Sequence, residues 1–243
     1  RSRIFFVDNI DPDQINALLD IIDLKKTLIN VITKSGDTAE IMSVYMIIKD
    51  KMKKECDDNY RKSIVVTTDR STGILRRLAE QEGYKNFEVP DDVGGRYSVF
   101  SSVGLLPFAL LGINIDELLR GVREIDKLLS NPSVYENTAA QNALIHYLLD
   151  KKKNKKICVF MPYSGRLKYV SDWFCLLWAE SLGKMYDNDG NIVFSGQTPV
   201  KALGVTDQHS QLQLYNEGPN DKIIDFIRVE NFATELQIPN LFD

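Results

Sequence analysis

Cysteine is scarce, three in 243 residues, and Cys56, Cys158 and Cys175 lie far apart with no CxxC pair. That spacing offers neither a disulfide framework nor a zinc site, and it suits a reducing compartment. Histidine is scarcer, with only His146 and His209. No apolar stretch reaches the roughly 18–20 residues that a membrane-spanning helix needs. Neither GxGxxG nor GxxxxGK(S/T) occurs, so the common nucleotide fingerprints are missing. Positive charge is not in excess: a net charge of −4 at pH 7 argues against non-specific nucleic-acid binding. An anionic ligand must therefore be held by local donors. No short repeat and no low-complexity tract is present. The opening Arg-Ser-Arg-Ile-Phe-Phe-Val has no secretory pattern and no initiating Met, and it reads as the middle of a longer chain.

What is present is alternation. Strand-like runs occur at Ile4–Val7, Leu28–Ile32, Ser63–Thr67 and Phe87–Val89. Between them lie helical stripes: Ile15, Leu18, Leu19 and Ile22; then Ile41, Val44, Tyr45, Ile48 and Met52; then Ile74, Leu75 and Leu78, closed by Gly83 as a C-cap. Such alternation predicts an α/β fold, a doubly wound and mostly parallel sheet with helices on both faces. Two helices are expected at Asn114–Leu129 and Val134–Leu149, joined near Asn131-Pro132. The lysine-rich run 151–156 then leads into a strand at Ile157–Met161, and without interleaved aromatics it reads as a solvated loop. A helix over Gly165–Leu182, a strand near Asn191–Phe194, a helix over His209–Tyr215 and a strand at Ile223–Val229 follow. The end, Glu235–Asp243, reads as a loop or a strand cut short. The bounds suggested are 1–112 for a first domain, 113–155 for a helical connector and 156–243 for a second domain.

Four polar clusters stand out. Thr33-Lys34-Ser35-Gly36-Asp37-Thr38 sits where a strand hands over to a helix, the place where ligands collect in parallel sheets. Gly36 would let backbone approach a ligand, the hydroxyls of Thr33, Ser35 and Thr38 would donate to a phosphate, and Lys34 would add a charge. The plainer reading is a helix start, with Asp37 as N-cap and Glu40 as its capping-box partner; the two are compatible, provided Asp37 points away from the anion. Pro90-Asp91-Asp92-Val93-Gly94-Gly95-Arg96-Tyr97-Ser98 precedes an apolar helix, Val99–Leu111. It brings two glycines and a guanidinium to another strand end, or else pairs Arg96 with Asp91 or Asp92. Glu180 falls in the last turn of its helix near Trp173, Phe174 and Trp178. There, desolvation and the dipole suit a carboxyl to general acid–base work, while the plainer reading pairs it with Lys184. His209 opens a helix after a polar turn, where Asp207 can orient it. His146, inside an amphipathic helix, reads as structural.

Together, VITKSGDTAE, VPDDVGGRYSVFSSVGLLP, WAESLGK and DQHSQLQLYNEGP resemble the glucose-6-phosphate isomerase family of the type common in bacteria. They occur in the family's order along essentially the whole chain. The resemblance implies two sugar-isomerase (SIS) domains, each a three-layer αβα unit, both incomplete here. The family's first strand, with its glycine- and serine-containing phosphate loop, would precede Arg1. A C-terminal helix carrying a glutamine and a lysine would follow Asp243. Activity of this stretch alone is therefore not expected to equal that of a whole enzyme.

The resemblance also implies roles. Thr33, Ser35 and Thr38, with Lys34 beside them, would hold the sugar phosphate. Gly95 and Arg96 would line the reacting carbons, with Arg96 stabilising the enediolate. Glu180 would move a proton between C2 and C1. His209, reaching in from the neighbouring subunit of a homodimer, would open the sugar ring. The implied activity is glucose 6-phosphate/fructose 6-phosphate interconversion in the cytoplasm, without metal or organic cofactor, nucleic acid or membrane. Alternatives are an isomerase that also accepts mannose 6-phosphate, or a non-catalytic SIS-type sugar-phosphate sensor.

Overall fold

The first helical stripe forms α1 (Pro12–Ile21), which opens as its sequence demands. The Asp11 carboxylate accepts from the N–H groups of Asp13 and Gln14 at 2.9 and 3.3 Å, and Pro12 takes the first position, where a missing N–H costs nothing. The β-branched runs become β1 (Ile29–Thr33) and β2 (Ile64–Thr68), separated by α2 (Ala39–Glu55). α3 (Ile74–Glu82) then ends at Gly83, whose φ of +71° supplies the left-handed cap, and β3 (Lys85–Glu88) follows. These three strands form a parallel sheet in the order β1-β2-β3. The central strand β2 is buried along its whole length. Like other strands covered on both faces, it reads as a continuous β-branched run instead of alternating.

This computed structural model describes residues 3–56 and 58–241; the domain bounds expected at residues 1 and 243 lie outside them. The chain divides into two compact units, Arg1–Ile125 and Asp126–Asp243. In the first, Val31, Tyr45, Ile48, Met52, Val66 and Leu75 form the centre of the core, with α1 contributing Ile15 and Leu19. Glu82 ties three elements together. It accepts from Lys49 Nζ at 2.7 Å on α2 and from Arg61 Nε at 2.8 Å on the 3₁₀ turn Asp58–Ser63. The strand expected at Ile4–Val7 is not formed. That run belongs to no ladder among the described residues, and Phe6 is 72% exposed. A β-branched and aromatic run becomes a strand only where a neighbour completes its hydrogen bonds.

The apolar stretch expected as one helix over Val99–Leu111 is two elements: a 3₁₀ turn, Gly95–Phe100, and α4 (Ser102–Leu110). Ser101 separates them, because its hydroxyl caps Val103 N–H at 3.3 Å. The chain passes to the second unit through α5 (Ile115–Leu129). Next, α6 (Thr138–Lys153) begins later than expected because Asn137 caps it, accepting from Ala140 N–H at 2.9 Å. It also ends later: Lys151, Lys152 and Lys153 form its last turn and are not a free loop. Three ammonium groups there complement the negative end of the helix dipole.

In the second unit β4 (Ile157–Pro162) is central, and α7 (Lys168–Leu182) packs beside it. A short antiparallel pair follows, β5 (Lys184–Tyr186) with β6 (Ile192–Ser195). Then come β7 (Thr198–Lys201), α8 (Thr206–Glu217) and β8 (Lys222–Ile227). The parallel order is β7-β4-β8. β7 was not expected because it is four residues long and contains Pro199, which an edge strand tolerates. The polar centre of this unit is His146. It is 3% exposed, with Nε2 3.1 Å from an Asp225 carboxylate oxygen, and it sits edge-on to Trp178. The structural reading of His146 therefore stands. Among the described residues no helix is long and apolar enough to cross a membrane.

Hydrogen bonds from Lys49 and Arg61 hold the Glu82 carboxyl down to about 2, from an ordinary value of 4.5. A depressed folded-state value adds stability that is complete above the unfolded value and is lost as the pH falls toward about 2. Glu82→Gln should lower stability at neutral pH by about 1–3 kcal/mol, and should flatten the loss of stability between about pH 5 and pH 2. Urea midpoints measured across that range check both.

Candidate active site

The carboxyl ends of β1, β2 and β3 lie side by side because the strands are parallel and in register, Thr33 opposite Thr68 and Thr68 opposite Glu88. Each end feeds a loop, and the loops meet. Asp69 N–H donates to Lys34 C=O at 3.2 Å, and Leu75 N–H donates to Gly36 C=O at 3.1 Å. Lys34 Nζ crosses to the third loop, donating to the carbonyls of Asp91 and Val93 at 3.0 and 2.7 Å. They border a cavity of about 620 Å³ lined by Thr33, Lys34, Ser35 and Thr38 at the end of β1 and in the first loop, Asp69 and Thr72 from the second, and Gly95 from the third.

Within the first loop the three hydroxyls converge. Thr33 Oγ1 is 2.7 Å from Thr38 Oγ1 and 3.5 Å from Ser35 Oγ, which is 3.4 Å from Thr38 Oγ1. Thr38, and not Asp37, is the N-cap of α2. The turn through Gly36, with φ +76°, delays the helix start by one residue, so the expected Asp37–Glu40 capping box is not built. The Thr38 side chain makes no cap hydrogen bond of its own, since its hydroxyl is turned to Thr33. The first N–H groups of α2, at the positive end of its dipole, lack that side-chain acceptor beside the cavity. Asp37 is not on the lining. Hydroxyls and a helix start thus border the cavity, with Asp37 off its wall and the acidic Asp69 on it.

Gly36 has a structural job in the contact between loops. A Cβ there would stand 3.1 Å from Gly73 Cα, and a Cβ on Gly73 would stand 2.4 Å from the Ser35 carbonyl. The two glycines let two loops touch. Asp69 and Thr72 were missed by sequence reasoning, although Asp69-Arg70-Ser71-Thr72-Gly73 repeats the hydroxyl-plus-glycine pattern at the next strand end. The Asp69 carboxylate accepts from the N–H groups of Ser71 and Thr72, both at 2.9 Å, and from the Thr72 hydroxyl at 3.0 Å. Those hydrogen bonds, the backbone ones first, hold its pKa below the ordinary aspartate value. Buried Arg76 steadies the same loop, donating to Asp69 C=O at 2.9 Å and Asn86 Oδ1 at 2.8 Å.

Gly95 opens the 3₁₀ turn and borders the cavity. Arg96 follows, its guanidinium 4.8 Å from the centroid of the Tyr97 ring. The other expected groups lie in the second unit. Glu180 is in the last turn of α7 and is exposed. The expected desolvation is not supplied by its own helix, because Phe174 and Trp178 pack against each other, with Phe174 stacked on Phe160 and Trp178 edge-on to His146. Glu180, two residues beyond Trp178, is turned about 200° away. Lys184 donates to the Glu180 backbone carbonyl at 3.2 Å. His209 is exposed on the first turn of α8. Asp207 does not orient it in the manner expected, since its carboxylate accepts from Leu203 N–H at 2.7 Å and from the Ser210 hydroxyl at 3.1 Å. One group among the described residues has metal-ligand chemistry. His146, Cys158 and Asp225 present ligand atoms within 4.8 Å of one another, already joined by a His146–Asp225 contact of 3.1 Å and a thiol hydrogen bond to Asp225 at 3.5 Å.

The phosphoglucose isomerase family model matches residues 1–238. The chain belongs to that family. It is 47% identical over 237 residues to a glucose-6-phosphate isomerase of Carboxydothermus hydrogenoformans, covering 98% of this chain and 51% of that protein. A probable glucose-6-phosphate isomerase of Methanococcus maripaludis is 42% identical, with 99% of this chain and 52% of that protein covered. Among solved structures, a hypothetical protein from Thermus thermophilus superposes with a TM-score of 0.91 at 40% identity, covering 99% of this chain and 56% of that one. A glucose-6-phosphate isomerase from Chlamydia trachomatis gives a TM-score of 0.83 at 27% identity, with 93% and 44% covered. The chain thus spans about half the length of the curated relatives it matches. Family membership agrees with the two parallel α/β sheets described above.

Gly73→Ala should cost about 2–3 kcal/mol and weaken inorganic phosphate binding at the first loop, because the new Cβ collides with the Ser35 carbonyl. Gly121→Ala, where a Cβ meets nothing within 4 Å, should leave both unchanged or raise stability slightly. Urea unfolding and phosphate titration by calorimetry test the pair.

Proposed function

We propose that the whole protein, of which this chain is a part, interconverts glucose 6-phosphate and fructose 6-phosphate. The observation that carries the reading is the cavity at the sheet's carboxyl edge. Three hydroxyls and an uncapped helix start face it, and Gly95, the neighbour of Arg96, borders it. The names of the relatives agree with that substrate.

In this reading Thr33, Ser35 and Thr38, with Lys34 beside them, anchor the phosphate at C6 and leave C1 and C2 toward Gly95 and Arg96. His209, supplied by the neighbouring subunit of a cytoplasmic homodimer, passes a proton to the ring oxygen as the C1 hydroxyl gives up its own to solvent, so the C1–O5 bond breaks and the sugar opens to the aldehyde. The Glu180 carboxylate then takes the proton from C2. The electron pair of that C–H bond becomes the C1–C2 double bond, and charge accumulates on the adjacent oxygens, where the Arg96 guanidinium stabilises it. With the O2 proton passed to O1 through solvent, the C2–O2 double bond forms as C1 takes the proton back from Glu180, and the ketose results. The step needs no oxidant, since one carbon is oxidised as its neighbour is reduced. Residues 1–112 and 156–243 act as the two sugar-isomerase domains, with 113–155 as their connector.

In the full-length protein, Glu180→Gln should lower exchange of the C2 proton with solvent by at least about 10³-fold, with affinity for inorganic phosphate within about 3-fold of the parent. Deuterium wash-in followed by NMR measures the first. Exchange at the parental rate removes Glu180 from the role of base; phosphate binding with no isomerisation by the parent favours a sensor instead.

A further inference from the structure

Lys34 stands in the anion-binding loop, yet its ammonium is engaged elsewhere. Two of its three N–H donors are given to the carbonyls of Asp91 and Val93, at 3.0 and 2.7 Å. The turn that carries those carbonyls has local bonds of its own, Val93 N–H to Pro90 C=O at 3.1 Å and Tyr97 N–H to Gly94 C=O at 2.9 Å. Those bonds set its shape but do not fix its place relative to the first loop. Two carbonyls converging on one cation do fix it, and charge-assisted hydrogen bonds are the stronger kind. The backbone of Lys34 is held in turn, its C=O accepting from Asp69 N–H at 3.2 Å. One residue therefore touches all three loops at the carboxyl edge of the sheet.

We propose that Lys34 is a positioning residue: its ammonium sets the 91–95 turn, and with it Gly95 and Arg96, at a fixed distance from the hydroxyl cradle, while the phosphate is held chiefly by the hydroxyls and the start of α2. The catalytic consequence rests on the isomerase reading; the structural one does not. A sugar phosphate is then gripped at one end by the loop after β1 and met at the other by the loop after β3. The ammonium keeps those two ends in register, and a misplacement of about 1 Å at the reacting end costs on the order of 100-fold in rate.

The test uses the full-length protein with Lys34→Met, which keeps the aliphatic stem, and Lys34→Gln should the first fail to fold. Three readouts are taken: amide hydrogen exchange at residues 91–96, affinity for inorganic phosphate, and kcat on glucose 6-phosphate. Exchange at 91–96 should quicken by about 10-fold or more, phosphate affinity should stay within about 3-fold, and kcat should fall about 100-fold with KM changed far less. Unchanged exchange at 91–96 overturns the proposal, and phosphate affinity falling in step with kcat overturns it in favour of Lys34 as a phosphate ligand. If the parent shows no isomerisation at all, the isomerase reading fails, and the exchange and phosphate measurements still decide the role of Lys34.

Discussion

The site depends on the locking of loops at the carboxyl edge of a three-stranded parallel sheet. Parallel strands in register place three chain exits on one side, and exits so close must either repel as solvated loops or share hydrogen bonds. Here they share them: Asp69 N–H with Lys34 C=O, Leu75 N–H with Gly36 C=O, and the Lys34 ammonium with two carbonyls of the third loop. The contact is possible only because Gly36 and Gly73 face each other without Cβ atoms, one Cβ position lying 2.4 Å from a carbonyl oxygen. Once the loops touch, the hydroxyls of Thr33, Ser35 and Thr38 have little freedom left. Preorganised donors of this kind lose little entropy when an anion binds.

The second unit answers a different constraint, the burial of polar groups beneath helices. Asp225, on β8, accepts from His146 on α6 and from the Cys158 thiol on β4. The carboxylate raises the affinity of His146 for its proton, and burial together with that carboxylate raises the thiol's. The pair fastens α6 to the sheet, and the edge of His146 against Trp178 extends the same polar-to-aromatic layer to α7. That packing consumes the aromatic face of α7 and leaves its other face, with Glu180, open. The same helix thus supplies a rigid core contact and an exposed carboxylate only two residues apart, a separation that rigid packing makes accurate.

Much of this was legible in the chain. The stripes at Ile15/Leu19, at Val44/Tyr45/Ile48/Met52 and at Leu75 are the buried ones, because a helix of period 3.6 has a single face to offer a sheet. The strands at Leu28–Ile32 and Ser63–Thr67 are offset by about one residue from β1 and β2, since hydrophobicity marks the core and hydrogen bonds mark the ends. Less legible were the features created by a neighbour. Ile4–Val7 has strand composition and belongs to no ladder among the described residues. β7 has poor strand composition and pairs with β4 all the same.

The sequence alone determined the α/β class, the buried stripes of the first three helices and the cluster of hydroxyls at a strand end, because each follows from periodicity or from chemistry within a few residues. Tertiary structure decided what those residues do. It turned Gly36 toward Gly73, gave the Lys34 ammonium to the turn at 91–93, made Thr38 the cap in place of Asp37, spent Asp207 on Leu203 and Ser210, and brought Asp69 and Thr72 to the cavity wall. Each of these is a choice among donors, acceptors and close approaches that come within reach of one another only when the strands align and the loops fold back, so no local pattern carries it.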